Sequence, residues 1–241
     1  MNSLSANYLE VMKRILLLLA ASLASASLCS AATVAAWSFE SPNVPPTVTG
    51  TTLNGLLPDV GSGTASGVHA NAATTFTSGV GNGSASSLRA DQWAAGDYWQ
   101  FHVSTVGFAH IHLGFDMITS PGSSATNFTL AYSLDGTSFS TYNSNVAIRF
   151  GTWNASSPNP LCNLSFDLTS RTALDGAPEV YFRLTDNLRE VRPTGTVSLD
   201  NVLITATAVP EPSARTLVGG AGALLWLMRR ATGRNASRRD A

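Results

Sequence analysis

Three histidines, His102, His110 and His112, form the sharpest chemical pattern in this 241-residue sequence. Each lies on the polar side of an alternating stretch, YWQFHV at 98–103 for the first and HIHLGFDM at 110–117 for the other two. Pairing those stretches as antiparallel neighbours, apolar sides on one face, would bring His102 opposite His110 or His112. Three imidazoles on one surface suit zinc or copper. Nothing in the pattern completes a shell with a carboxylate or cysteine, so an exposed, protonatable patch is the alternative. His69, in SGVH at 66–69, reads as a loop contact.

Cleavage of a glycosidic bond would need two carboxylates held at a fixed separation, and Asp97, Asp116 and Asp167 are the candidates. Aspartates beside strands also serve simply to end them. The sequence has no GxSxG elbow and no HExxH pair, so it reads as a non-enzyme. Trp93 and Trp153 fall in loop-like contexts and are candidate platforms for stacking on sugar rings, with plain packing as the alternative. Trp37 and Trp99 fall on the inward side of their runs and belong to a core.

The elements that must hold these groups are strands. Short alternating runs punctuated by Gly, Asp and Pro occur at 34–39, 98–103, 110–117, 128–134, 138–142, 146–150, 164–168, 180–185 and 196–205. Asp135-Gly136 marks a hairpin, and 105–108 is short enough to join antiparallel neighbours. The pattern predicts an all-β fold, a jelly-roll-like β-sandwich. Residues 47–87, poor in large apolar side chains, read as long loops with one weak strand. The glycines there lack the strand-to-helix context of a phosphate-binding loop and read as turn residues.

Charge separates the middle of the chain from its ends. Residues 33–207 hold six arginines and no lysine against twelve acidic residues, a net charge of −6, whereas the whole chain is at −1. Such an acidic domain excludes nucleic acid as a partner, because phosphate binding needs a concentrated basic patch. Cys162 is the single cysteine of that span, so it forms no internal disulfide and reads as a packing residue in a strand.

At the N-terminus, Lys13 and Arg14 precede an apolar run at 15–21 and small residues through Ala31 and Ala32, the layout of a secretory signal peptide over 1–31. Signal peptidase is expected to cut after Ala31 or Ala32. The first eleven residues carry Glu10 and no positive charge, so Met12 is the expected start. Cys29 follows Leu28, where lipid attachment wants a small residue, and a lipoprotein reading is set aside.

At the other end, Val209, Pro210, Glu211, Pro212 and Ser213 spell VPEPS. The two prolines keep the backbone around Glu211 extended and unpaired, a form that a protease can accept. An uncharged run at 216–228 follows, then Arg229, Arg230, Arg234, Arg238 and Arg239, which would stop translocation and stay in the cytoplasm. A membrane helix over about 214–228 is short for a span, and a snorkelling Arg215 extends it. Residues 208–241 resemble the PEP-CTERM sorting signal of Gram-negative bacteria. The resemblance implies that exosortase, a membrane cysteine transpeptidase, cleaves near residues 209–212 and contributes the catalytic cysteine.

The domain at 32–207 carries a resemblance of its own. GSGTASGVHA at 61–70, DYWQFHVSTVGF at 97–108, LGFD ending at Asp116, YSLDGTSF at 132–139 and VYFRL at 180–184 are similar to a recurrent domain of exported bacterial proteins that precedes PEP-CTERM tails. That resemblance implies a β-sandwich and supplies no mechanism. WSFE at 37–40 and DNV at 200–202 also resemble the first and last strands of carbohydrate-binding jelly rolls. This second likeness implies that Glu40 and Asp200 approach each other and could hold a structural calcium with backbone carbonyls, the alternative being two exposed carboxylates.

Together these readings describe an exported protein, anchored transiently in the inner membrane through its C-terminal helix and released by exosortase to the cell surface or extracellular matrix. There it is expected to act as a structural or adhesive component of exopolysaccharide or biofilm. A carbohydrate-binding module is the alternative, and a glycan-cleaving enzyme the third.

Overall fold

Alternation of apolar and polar side chains along the middle of the chain becomes strand after strand in the computed structural model, which describes residues 31–121, 125–187 and 195–209. Residues 31–209 form one compact unit. In chain order the strands are β1 (Ala31–Trp37), β2 (Val48–Thr49), β3 (Thr52–Leu56), β4 (Val60–Gly61), β5 (Thr64–Val68), β6 (Thr75–Gly79), β7 (Ser87–Ala90) and β8 (Tyr98–Val103). They continue with β9 (Phe108–Thr119), β10 (Asn127–Ser133), β11 (Ser140–Ala147), β12 (Arg149–Phe150), β13 (Asn163–Asp167), β14 (Val180–Asp186) and β15 (Val197–Ala208).

Two sheets make the sandwich. One is built along β12-β9-β15-β7-β6-β2, with β1 beside β15, β13 beside β9 and β4 beside β1; the other runs β11-β10-β14-β8-β5-β3. All pairings are antiparallel except β12 with β9. The inward residues of both sheets meet in a single large core: Trp37 packs on Phe101 with ring centroids 5.2 Å apart, and Phe76 on Trp99 at 5.8 Å. Each such side chain contributes about 1.5–3 kcal/mol by leaving water, which is why the strand parity is fixed so firmly.

The first and last strands are partners, Ala31 opposite Thr207 and Trp37 opposite Val202. Both ends of the domain therefore leave side by side from one sheet. The last described backbone bond before the VPEPS prolines runs from Val209 N–H to the Gly107 carbonyl at 2.8 Å.

Two expectations are corrected here. Residues 47–87 hold five short strands and the first residue of a sixth, where long loops with one weak strand were expected. Small residues are needed there because large ones cover them: a Cβ on Gly67 would lie 2.4 Å from the Trp99 ring. At Gly67 the small residue reflects close packing beneath Trp99 and Phe76, whereas most of 47–62 is exposed. Residues 105–108 likewise do not join sheet neighbours. They carry the chain from β8 in one sheet to β9 in the other, with the buried Thr105 hydroxyl bonded to the carbonyl of Leu174 at 2.5 Å.

Asp135-Gly136 does close the β10–β11 hairpin. Gly136 takes φ = 72°, and Asp135 Oδ1 accepts from the backbone of Thr137 and Ser138 at 2.8 and 2.7 Å. Those donors hold the Asp135 pKa below the ordinary carboxylate range.

Candidate functional site

The outer face of the second sheet is a graded surface of polar and aromatic side chains. Parity puts Tyr98, Gln100 and His102 of β8 outward because Trp99, Phe101 and Val103 point in, and it puts Tyr181, Arg183 and Thr185 of β14 outward for the same reason. The antiparallel register then sets His102 opposite Tyr181, Gln100 opposite Arg183 and Tyr98 opposite Thr185.

Contacts lock this face into shape. The His102 and Tyr181 rings stack with centroids 4.3 Å apart and an interplanar angle of 10°. Arg183 gives Nε and Nη2 to Gln100 Oε1 at 3.1 and 2.7 Å. Its guanidinium lies 4.0 Å from the Tyr98 ring centroid and 3.7 Å from that of Phe139, from the β10–β11 hairpin. Burial between those rings lowers the Arg183 pKa, yet so strong a base stays charged. The rings, the amide and the cation are all half-buried, presenting flat apolar faces beside fixed hydrogen-bonding groups. That combination suits the two sides of a pyranose ring, one apolar and one bearing hydroxyls.

Glu40 and Asp200, expected to approach each other as calcium ligands, each bond to the 82–86 segment. Glu40 Oε1 accepts from the Ser86 backbone at 2.6 Å, and Asp200 Oδ2 accepts from Asn82 N–H at 2.7 Å and Ser84 Oγ at 2.9 Å. Asp116, opposite Asp200 in the β9–β15 ladder, accepts amide hydrogens from Asn82, Asn163 and Asn201 at 2.9, 3.0 and 2.8 Å. These carboxylates act as clamps on the 80–86 and 154–163 segments, and both oxygens of Asp116 and of Asp200 are engaged by neutral donors. Among the described residues, no group of three or more His, Cys, Asp or Glu side chains is arranged to hold a metal ion.

The three-histidine site is not assembled. His102 is in one sheet and His110 and His112 are in the other, because β8 pairs with β14 and β5 while β9 pairs with β15 and β13. His112 Nδ1 lies 3.7 Å from Asp167 Oδ1, and His110 is exposed. His69, expected as a loop contact, is a core residue ringed by Phe76, Trp93 and Trp99, with Nδ1 3.4 Å from Asp97 Oδ2. Burial drives its pKa down to about 3, so it is neutral.

Both sugar-platform candidates are covered. Trp93 is fully buried with Nε1 on the Ala90 carbonyl at 3.0 Å, and Trp153, 9% exposed, packs against Ile118 and Cys162. Cys162 ends a short 3₁₀ turn, Pro160–Cys162, instead of lying in a strand. The aspartates do not form a glycosidase pair either. Asp167 faces His112 and Asp116 faces Asn163, so the two stand four residues apart along β9, about 13 Å at the strand rise and beyond the spacing either hydrolytic geometry needs. Asp97 is buried and holds the backbone of Ala70 and Ala94 at 2.8 and 2.7 Å.

Val209 is exposed. Pro210, Glu211, Pro212 and Ser213, the 214–228 helix and Arg229, Arg230, Arg234, Arg238 and Arg239 lie outside the described residues, as do residues 1–30. Sequence reasoning missed Tyr98, Gln100, Tyr181, Arg183 and Phe139 as a group. The outward parity of β8 and β14 was readable, but their pairing across about eighty residues was not.

No family model and no curated protein matches the chain. Among solved structures, it is similar to the K3 cleaved adhesin domain of Lys-gingipain from Porphyromonas gingivalis, with 14% identity and a TM-score of 0.40 over 73% of this chain and 99% of that one. It is also similar to the carbohydrate-binding module CBM27-1 of Caldicellulosiruptor saccharolyticus in complex with mannohexaose, with 12% identity and a TM-score of 0.37 over 76% of this chain and 99% of that one. A third match, to the enzymatically active domain of bacteriophage CBA120 tailspike protein 4, has 13% identity and a TM-score of 0.36 over 72% of this chain but spans only 21% of that one.

Proposed function

We propose that this is an exported adhesive protein whose β-sandwich holds matrix polysaccharide on the outer face of the second sheet. The observation that carries the reading is the Tyr98–Arg183–Phe139 stack with Gln100 fixed beside it and the His102–Tyr181 pair in the next row. Flat rings give a sugar its apolar contact, while the amide and guanidinium give it direction. The contribution of this chain is binding; no bond-breaking step is assigned to it.

Delivery follows from the two ends. The signal peptide would bring the domain across the inner membrane, and the VPEPS tail with its helix and arginines would hold it there until exosortase removes the tail. Release at the cell surface or matrix then puts the sheet face where exopolysaccharide is concentrated.

Retardation of the purified full chain in native gels containing soluble polysaccharides tests the binding half. Binding polymers should slow the wild type, and Tyr98→Ala and Tyr181→Ala should run as in plain gels with unchanged melting. Equal retardation of both variants would remove this face from the account.

A further inference from the structure

A cavity of about 240 Å³ opens on the outer face of the other sheet, lined by Arg89, Trp153, Ile118, Ser120, Thr196 and Ser198 among others. Among the described residues, the lining includes one cation and no acid. Arg89 is on β7 directly opposite Ser198 of β15, and its Nε donates to Ser198 Oγ at 3.1 Å. The guanidinium lies flat across β6 at Gly79, where a Cβ would come within 2.4 Å of Arg89 Cζ. Gly79 is thus the space that lets the cation reach this position.

Arg89 has given up water without gaining a counter-charge. Desolvation lowers its pKa, and the charged pairs among the described residues are His69 with Asp97 and His112 with Asp167, neither of them an arginine pair. Asp116 and Asp200 lie two residues further along the same strands, outside the lining, and are engaged by Asn82, Asn163 and Asn201. A partly buried cation in this condition is stabilised by an anion that enters from solution.

Trp153 supplies one wall of the cavity. It is 9% exposed, and its Nε1–H is covered from solvent, so the indole contributes apolar surface. Ser120 Oγ accepts from both Thr196 N–H at 2.8 Å and Thr196 Oγ1 at 3.3 Å, which leaves its own hydrogen to donate. Ser198 Oγ, accepting from Arg89, is in the same position. The cavity therefore offers two serine hydroxyls beside one positive charge, against the apolar walls of Trp153 and Ile118.

We infer that this cavity binds a single sugar residue bearing a carboxylate, of the uronic acid class. The carboxylate meets the Arg89 guanidinium, the serine hydroxyls take the remaining oxygens, and the carbon face of the ring lies on Trp153 and Ile118. The volume is several times that of an inorganic oxyanion and below that of a drug-sized ligand pocket, which favours one ring. This inference goes beyond the sheet-face reading and rests on it only in taking the anion to be a sugar.

Calorimetric titration of the full chain in detergent with glucuronate, galacturonate, glucose, galactose and inorganic sulfate tests it with no polymer present. Binding of a uronate, none of the neutral sugars, and sulfate at least about tenfold weaker are expected. Arg89→Gln should reduce uronate affinity at least about tenfold. The melting temperature of that variant should be unchanged, because Arg89 lies on the outer face of the sheet. Equal binding of glucose and glucuronate, sulfate as tight as the uronate, or an Arg89→Gln variant that binds normally would each overturn the inference. Tyr98→Ala should leave uronate binding untouched, so failure here and failure of the sheet face are separable.

Discussion

Asp116 on β9 and Asp200 on β15 stand opposite each other in an antiparallel ladder, 6% and 0% exposed, with their described hydrogen bonds coming from neutral amides and a hydroxyl. Burial, helped by the neighbouring charge of Asp116, lifts the Asp200 pKa from 3.8 to about 6. The native state then holds a proton that the unfolded chain has lost. This contribution to stability is full below pH 4 and disappears as pH rises through about 6. Asp200→Asn should flatten that part of a stability–pH profile measured by urea unfolding. Because the carboxylate oxygens are already engaged, a chelator should leave the melting temperature of the wild type unchanged; a fall reversed by added calcium would mean that calcium replaces these amide contacts.

His69 acts in the opposite direction. Its native pKa of about 3 lies below the ordinary 6.5, so the unfolded chain binds the proton first. Stability from this group is present above pH 6.5 and is lost as pH falls toward 3. His69→Gln should reduce acid sensitivity between those limits, where Asp200→Asn acts with the opposite sign. Urea midpoints at half-unit pH steps separate the two; a His69→Gln profile parallel to the wild type would show that the imidazole is not neutral in the core.

Gly67 sits beneath Trp99, and an added Cβ would come within 2.4 Å of the indole. Gly67→Ala should cost about 1–3 kcal/mol through overpacking, read as a lower thermal midpoint. The same change at Gly96, where a Cβ meets no atom within 4 Å but φ is +93°, should cost about 1 kcal/mol from backbone strain alone. A Gly67→Ala variant as stable as the wild type would mean that the Trp99 side of the core yields easily.

The sequence and the structure agree most closely where side-chain parity decides. YWQFHV at 98–103 was readable residue by residue, with Trp99, Phe101 and Val103 inward, because burying each apolar group fixes the face. The Asp135-Gly136 hairpin was equally legible, since only local backbone geometry was involved. Residues 47–87 were not, because Gly67 and Ala65 are small for the sake of partners far away in sequence. The histidine grouping failed for a related reason. Parity tells which face of a strand a residue occupies but not which sheet the strand joins, and 105–108 changes sheets. The Arg183 and Arg89 sites depend on pairings 83 and 109 residues apart, beyond any local pattern.

Tail processing makes its own prediction. Expressed with exosortase, the chain should lose its C-terminus near residues 209–212 by intact mass, and deletion of Pro210, Glu211 and Pro212 should prevent that loss. Its mature N-terminus should be Ala32 or Thr33, both in β1 opposite β15, so signal removal leaves at least Thr33 to Trp37 paired. An unprocessed tail in the presence of the enzyme would instead make this a permanently anchored protein.

The most direct test of the account is equilibrium binding of the purified full chain to exopolysaccharide from the cells that export it, comparing wild type with Arg183→Gln and Arg89→Gln. Removing the Arg183 cation from between Tyr98 and Phe139 should weaken polymer binding at least about tenfold, about 1.4 kcal/mol, with melting unchanged, whereas Arg89→Gln should remove only the preference for acidic over neutral polymer. Wild-type affinity in the Arg183→Gln variant, or no polymer binding by the wild type at all, would contradict the claim that this sandwich works by holding polysaccharide on its second sheet.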